Sequence, residues 1–292
     1  MNLDTLVSRV DERMRLADQP DGVVWVSPNV AVTGRRSPTE LRSDIYEPVV
    51  CLILQGAKEL NAGDKTMTIG PGQCLLVSHD IPVSACITKA SPQHPYLSLV
   101  LRLDVGVLRS LYEEVSDVLD RRVPAQSAGV HDADAALIDA FARMVALSEE
   151  PVERRVLEPM LLREIHFRLL MAPYGGMLRQ LLRHDSHASN VARAIRRIRS
   201  DFRTAIAVPD LAKEVGMSVS SFHKHFREIT ANTPLQYQKE LRLLEARRLL
   251  ATGDQPVTTV AYNVGYGSPN QFSREYARKF GVSPRTHLPL RP

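Results

Sequence analysis

Two stretches near the end of the chain repeat one pattern at an interval of about 50 residues, and this repeat constrains the fold more than any other feature. In the first, Val208-Pro209-Asp210-Leu211-Ala212-Lys213-Glu214-Val215-Gly216 leads through Met217 to Ser218, Phe222 and Phe226. In the second, Val260-Ala261-Tyr262-Asn263-Val264-Gly265 leads through Tyr266-Gly267 to Ser268, Phe272 and Tyr276. Each copy closes on a polar turn and a proline, Pro234 or Pro284. An alanine four residues before a glycine lets two helices approach closely, and the glycine supplies the left-handed backbone that ends the first helix. Ser218 and Ser268 then sit where a hydroxyl caps a second helix, and Pro269 takes the first-turn position suited to its fixed φ. Aromatic pairs spaced i, i+4 bury one face of that second helix. The pattern predicts two helix-turn-helix units, at about 208–230 and 258–280, joined by a spacer helix over Pro234 to Leu250 with Tyr237, Leu241 and Leu244 on one face.

The face left outward carries Ser220, Ser221, His223, Lys224 and Arg227 in the first unit, and Asn270, Gln271, Ser273, Arg274 and Arg278 in the second. Arg and Lys match guanine O6 and N7, and Asn and Gln match adenine N6 and N7. Charge is divided accordingly. From Ser189 onward there are 17 Lys and Arg against 8 Asp and Glu, whereas the preceding residues hold 20 against 25. Phosphate neutralisation needs such local concentration. A single alanine-to-glycine helix pair occurs in many bundles, and a solvated helix can be basic. Two units in register on a basic segment favour double-stranded DNA as the partner.

Ahead of this lies a different kind of sequence. Over about 22–103, short runs rich in β-branched residues, such as Val49 to Leu54, Cys74 to Val77 and Leu97 to Leu101, are separated by Gly, Pro, Asn and Asp, with Gly70-Pro71-Gly72 a plain turn. After Asp104 the period becomes helical: Leu108, Leu111, Val115 and Val118, then Leu157, Leu161, Ile165 and Leu169. The polar stretch from Tyr174 to Asn190 reads as a linker, and Ser189 or Asn190 as the cap of a helix striped by Val191, Ile195, Ile198 and Phe202. The expected fold class is α+β multidomain. An N-terminal domain over 1–185 places a β-barrel or sandwich before helices (about 104–185), and an all-α domain with the two helix-turn-helix units occupies 189–292.

The stretches "DLAKEVGMSVSSFHKHFREITANTPLQYQKELRLLEARRLL" and "VAYNVGYGSPNQFSREYARKFGVSPRTH" resemble the C-terminal DNA-binding domain of AraC/XylS transcription regulators, over about Asn190 to His287 and seven helices. The resemblance implies base-facing positions at Ser220, His223 and Lys224, then at Pro269, Asn270, Gln271, Ser273 and Arg274. Ser220 and Pro269 are chemically weak readers. "YEPVVCLILQGAKEL" and "GPGQCLLVSHDIPVSACITKASPQHPYLSLVLRLD", within about Tyr46 to Leu119, resemble the N-terminal domain of one AraC subgroup. That domain is cupin-like and senses a small molecule or mediates dimerisation. The implied partners are promoter DNA, RNA polymerase, a small-molecule effector and a second copy; Leu108 to Val118 and Leu157 to Leu169 either form a dimer seam or simply pack on the barrel.

Other classes fit less well. Metal-using cupins carry two His one residue apart with a Glu nearby, whereas His79 and His94 stand apart and read as surface or loop residues. No metal or cofactor is expected, no nucleophile–base motif is present, and the chain is not expected to be an enzyme. A cupin-type enzyme with an accessory helical domain, and a regulator without ligand, are the alternatives. Charged residues interrupt the first fifteen positions and no apolar run spans a bilayer, so a cytoplasmic location without membrane partners is expected. Cys51, Cys74 and Cys86 all fall on expected strands, where free thiols most often act as small buried hydrophobes. Cys51, on the central strand, is also the candidate for lining an effector pocket and answering a thiol-reactive signal.

Overall fold

The computed structural model describes residues 3–117, 127–147 and 151–287. The chain divides at Ser189/Asn190 into two compact units, with Ser43–Ile45 grouped with the second.

The first unit opens with a helix that the sequence reading left out, α1 (Leu3–Leu16), whose Leu6, Val10 and Met14 are buried at four-residue steps. Nine strands follow: β1 (Gly22–Trp25), β2 (Val30–Arg35), β3 (Arg42–Tyr46), β4 (Val49–Gln55), β5 (Ala57–Ala62), β6 (Lys65–Ile69), β7 (Gln73–Val77), β8 (Ile81–Lys89) and β9 (Tyr96–Arg102). Next come α2 (Val105–Val115), β10 (Ala128–Asp132), α3 (Ala135–Leu147), α4 (Pro151–Met171) and α5 (Gly176–Leu182). Two sheets result, a six-stranded one ordered β1-β2-β9-β4-β7-β10 and a four-stranded one ordered β3-β8-β5-β6. β4 is buried on both faces, which explains its unbroken apolar run. Its Cys51 and Ile53 join Leu60, Ile69, Val83 and Tyr96 between the sheets. Its Leu52 and Leu54 face outward to a second core built with Leu6, Val10, Phe141 and Ile165 of the helices.

The strand-to-helix change comes at Asp104, whose carboxylate caps α2 by accepting from the Gly106 and Val107 N–H groups (2.8 and 3.0 Å). Its own N–H donates to Nε2 of the buried His166 (2.8 Å). Val118 and Leu119, named above, lie outside the described residues. Four expectations need correction. The helical part contains a strand, β10, which pairs antiparallel with β7. The supposed linker after Tyr174 is largely helical, its α5 packed through Met177, Leu178 and Leu182. The next helix starts at His187, so Ser189 and Asn190 lie inside it rather than capping it, and Ser186 Oγ accepts from Ser189 N–H (2.9 Å). His79 lies in the loop between β7 and β8 but is not at the surface: it is 3% exposed, its Nδ1 is 2.8 Å from Ser78 Oγ, and its Nε2 donates to the Ala188 carbonyl (3.1 Å).

The second unit is helical: α6 (His187–Ser200), which begins just before it, then α7 (Val208–Glu214), α8 (Val219–Thr230), α9 (Pro234–Thr252), α10 (Val257–Asn263) and α11 (Pro269–Phe280), closed by a 3-10 turn at Pro284–His287. Among the described residues no helix is long and apolar enough to cross a membrane.

Candidate nucleic-acid interface

The two helix pairs α7–α8 and α10–α11 are built alike. Each first helix ends in a Schellman turn: Gly216 N–H donates to the Lys213 carbonyl and Met217 N–H to that of Ala212, while Gly265 and Tyr266 do the same toward Tyr262 and Ala261. The two glycines take φ of +73° and +91°, the left-handed region the turn demands. Ser218 Oγ and Ser268 Oγ accept from the Ser221 and Gln271 N–H groups (3.3 and 3.4 Å). Both serines therefore serve as N-caps, and Pro269 follows in the first turn of α11.

Aromatic packing fixes which face of each second helix turns inward. Phe222 meets Phe226 at 5.4 Å between ring centroids, and Phe226 meets Tyr237 of α9 at 5.7 Å. Phe272 packs on Tyr266 (5.3 Å) and Tyr276 (5.4 Å), in a core shared with Leu243, Ala246 and Leu250 of α9. One end of α9 thus belongs to the first pair and the other end to the second. Polar bonds stiffen this arrangement. Arg242 donates to the carbonyls of Phe202 (2.7 Å), Gly265 (2.9 Å), Arg203 (3.0 Å) and Thr204 (3.0 Å). Gln238, one turn earlier on α9, donates to Phe202 as well (2.9 Å).

With the aromatic faces buried, Ser220, His223, Lys224 and Arg227 on α8 are exposed, spaced i, i+3, i+4 and i+7. On α11, Asn270, Gln271, Arg274 and Arg278 are exposed, and Ser273 and Pro269 are half-buried. The side chains of Lys224, Arg227, Arg274 and Arg278 have no ion-pair partner among the described residues. Cations on other faces are engaged: Lys239 with Glu275 (3.0 Å), Lys279 with Glu240 (2.6 Å) and Arg248 with Glu245 (2.8 Å). Unpaired guanidinium and ammonium groups beside exposed amides are suited to phosphate oxygens and base edges.

In the first unit Cys51 is buried between the sheets beside Tyr96, whose hydroxyl is held protonated by its burial and then by the neighbouring Cys51. Cys74 faces the other side of the same sheet, 3.7 Å from the Tyr174 hydroxyl, and burial pushes its thiol up to about 11. Cys86 is half-buried. A separate cavity of about 640 Å³ opens between α1, β1 and the end of α3, lined by Arg9, Glu12, Arg13, Leu16 and Val24. Cys51 does not line that cavity.

The AraC-type transcriptional regulator N-terminus matches residues 27–177, and a helix-turn-helix domain matches residues 211–288. The transcriptional activator RhaS of Yersinia pseudotuberculosis is 29% identical over 142 residues, 49% of this chain and 51% of that protein. RhaS of Citrobacter koseri is 32% identical over 126 residues, 42% of this chain and 44% of its own. The chain spans about half the length of the curated relatives it matches. Among solved structures, an apo ToxT variant from Vibrio cholerae superposes with a TM-score of 0.57 at 12% identity, over 90% of this chain and 97% of that one. ToxT bound to (E)-4-(8-methylnaphthalen-1-yl)but-3-enoic acid gives 0.57 at 14% identity, over 89% and 98%. At these identities the likeness concerns the fold.

Proposed function

We propose, from the premise that the chain belongs to the AraC-type transcriptional regulators, that it regulates transcription by laying α8 and α11 into successive major grooves of one promoter duplex. The observation that carries this reading is the pair of capped helices with unpaired outward cations, mounted on one shared helix, α9. Recognition helices enter successive grooves when set about 34 Å apart along the duplex. Lys224, Arg227 and Arg274 would then supply phosphate or guanine contacts, and Asn270 and Gln271 adenine contacts, with Ser220, His223 and Ser273 at the margins. Ser218, Ser268 and Pro269 act by fixing the helix starts.

Residues 1–185 are proposed as the cupin-like effector and dimerisation domain, and residues 189–292 as the DNA-binding domain. A small molecule or thiol-reactive signal, received near Cys51, would change how the DNA-binding domain is presented and so the recruitment of RNA polymerase, in the cytoplasm. ToxT, of the same fold, binds a small organic acid, which supports a small-molecule effector without identifying it. No catalytic role is proposed.

The homodimer seam is proposed on one face of α4. Leu161, Ile165 and Leu169 are buried within the first unit, as are Leu108 and Leu111. The opposite face of α4 carries exposed apolar side chains, with Val152 80% and Met160 64% exposed alongside Val156, Phe167 and Met171, interrupted by Glu153 and Arg163. These positions fall within about 100° of the helix circumference. We place the seam there, since clustered exposed apolar surface marks association sites and a two-fold dimer needs one self-complementary patch.

The test is binding of the full chain to its own upstream DNA. A retarded complex at low ionic strength that weakens steeply as salt rises is expected. No complex with any upstream fragment at low salt would overturn the reading.

A further inference from the structure

Two helices of the second unit begin with the same local motif and use it differently. At the start of α9, Thr233-Pro234-Leu235-Gln236 forms a reciprocal capping box: Thr233 Oγ1 accepts from Gln236 N–H (3.2 Å), and Gln236 Oε1 accepts from Thr233 N–H (3.0 Å). At the start of α11, Ser268-Pro269-Asn270-Gln271 keeps the first bond. The Gln271 side chain does not complete the box. It turns forward along the helix, and its Nε2 donates to Glu275 Oε1 (3.3 Å).

Glu275 is itself held from behind. Its Oε1 accepts from Lys239 Nζ of α9 (3.0 Å) and its Oε2 from the Tyr266 hydroxyl (2.8 Å), and its side chain is only 14% exposed. Burial alone would raise its pKa, but the bonds from Lys239, Tyr266 and Gln271 hold it below the usual carboxylate range. An ionised carboxylate only accepts, so the amide must present its nitrogen to Glu275. One amide hydrogen is engaged there. The other, with Oε1, remains on the exposed face in the first turn of α11, the part of a recognition helix that meets base edges.

A donor beside an acceptor matches adenine N7 and N6, whereas guanine offers two acceptors at those places. A free glutamine can rotate its amide to suit either base. The first helix pair has no such device, for its corresponding residues are Ser221 and His225, and His225 is occupied with Glu228 (2.9 Å). We propose that Gln271 is an adenine reader whose amide orientation is set by Glu275, with Lys239 and Tyr266 as positioning residues. The assignment rests on the DNA-binding reading above. It makes the second helix pair the more discriminating one at a single base pair.

The experiment uses the full chain and a pool of randomised duplexes, followed by titration of the selected duplex and its A·T to G·C substitutions. Wild type should enrich one column for adenine that Gln271→Ala flattens, lowering the adenine-over-guanine preference about fivefold to tenfold. Glu275→Gln should relax the same column while the other columns and the melting curve hold. Lys239→Met should relax it less. The proposal is overturned, with the DNA reading intact, if wild type selects a motif in which Gln271→Ala and Glu275→Gln change no common column or weaken all columns equally. If wild type selects nothing, the DNA reading fails and the proposal falls with it.

Discussion

Gly216 and Gly265 occupy the same turn in the two helix pairs, yet replacing each by alanine should have very different effects. Both have left-handed φ, which costs an L-residue about 1–2 kcal/mol, partly offset by about 0.4–1 kcal/mol from a stiffer unfolded chain. An added Cβ at Gly216 meets nothing within 4 Å, so Gly216→Ala should cost about 0–1.6 kcal/mol on that balance. At Gly265 the Cβ would overlap the Arg203 carbonyl oxygen and lie 2.8 Å from its carbon and 2.9 Å from its Cα. Backbone must then move, and it is the backbone whose carbonyls Arg242 and Gln238 hold. Losing one or two bonds to a charged donor adds about 1.5–3 kcal/mol each, which with the φ term puts Gly265→Ala at roughly 2–7 kcal/mol. Urea unfolding of the full chain separates the units. The sole tryptophan, Trp25, reports the first, while helical circular dichroism also follows the second. The Gly265→Ala dichroism transition should move to lower urea with the Trp25 transition unmoved. Equal shifts for the two glycine variants would refute the argument, because only one of them touches Arg203.

Other outcomes follow from the same structure. Arg274→Ala should cost about 1–3 kcal/mol and relax one base position, and an equal loss on every duplex would mark Arg274 as a phosphate contact. His166 is buried, which lowers its pKa from 6.5; its Nδ1–H donates to the Leu162 carbonyl and its Nε2 accepts from Asp104, so only the neutral ring fits. Its contribution is whole above pH 6.5 and is lost as pH falls below that value, so the Trp25 urea midpoint should drop between neutral and mildly acidic buffer less steeply in His166→Gln than in wild type. Parallel curves would remove His166 as the cause. Sedimentation should find the full chain dimeric and Met160→Glu monomeric, whereas a monomeric wild type at high concentration defeats the α4 seam. Promoter induction by candidate aldehydes or oxidants should fall in Cys51→Ser, and an unchanged response would exclude that thiol.

The helix-turn-helix pairs were readable because each of their parts is a local rule: a glycine where φ must be positive, a serine where a helix needs a cap, aromatics four apart. The strands between Gly22 and Arg102 were readable for the same reason, through turn residues and β-branched runs. What escaped depended on partners distant in sequence. Ala128–Asp132 is too short to signal a strand until β7 lies beside it. Tyr174-Gly175-Gly176 looks like a break, but Gly175 is there because a Cβ would collide with the Leu169 and Leu170 carbonyls, so the segment packs closely instead of linking. The burial of His79 follows from its bond to Ala188, 109 residues away. On α4 the sequence offered two apolar stripes and no means of telling the inner from the outer. Gln271 was legible as a polar surface residue, but its orientation depends on Lys239 and Tyr266, which only the fold brings to Glu275.

Because both aromatic cores seat on opposite ends of α9, the distance between the reading heads is a material property of that helix. Each residue of an α-helix advances about 1.5 Å and turns about 100°. Inserting one alanine midway along α9 would swing one head by that angle while leaving every outward side chain chemically intact. Promoters would then be sorted by the gap between their two short words as strictly as by spelling, and a bound sequence stretched by one base pair would be rejected by geometry alone.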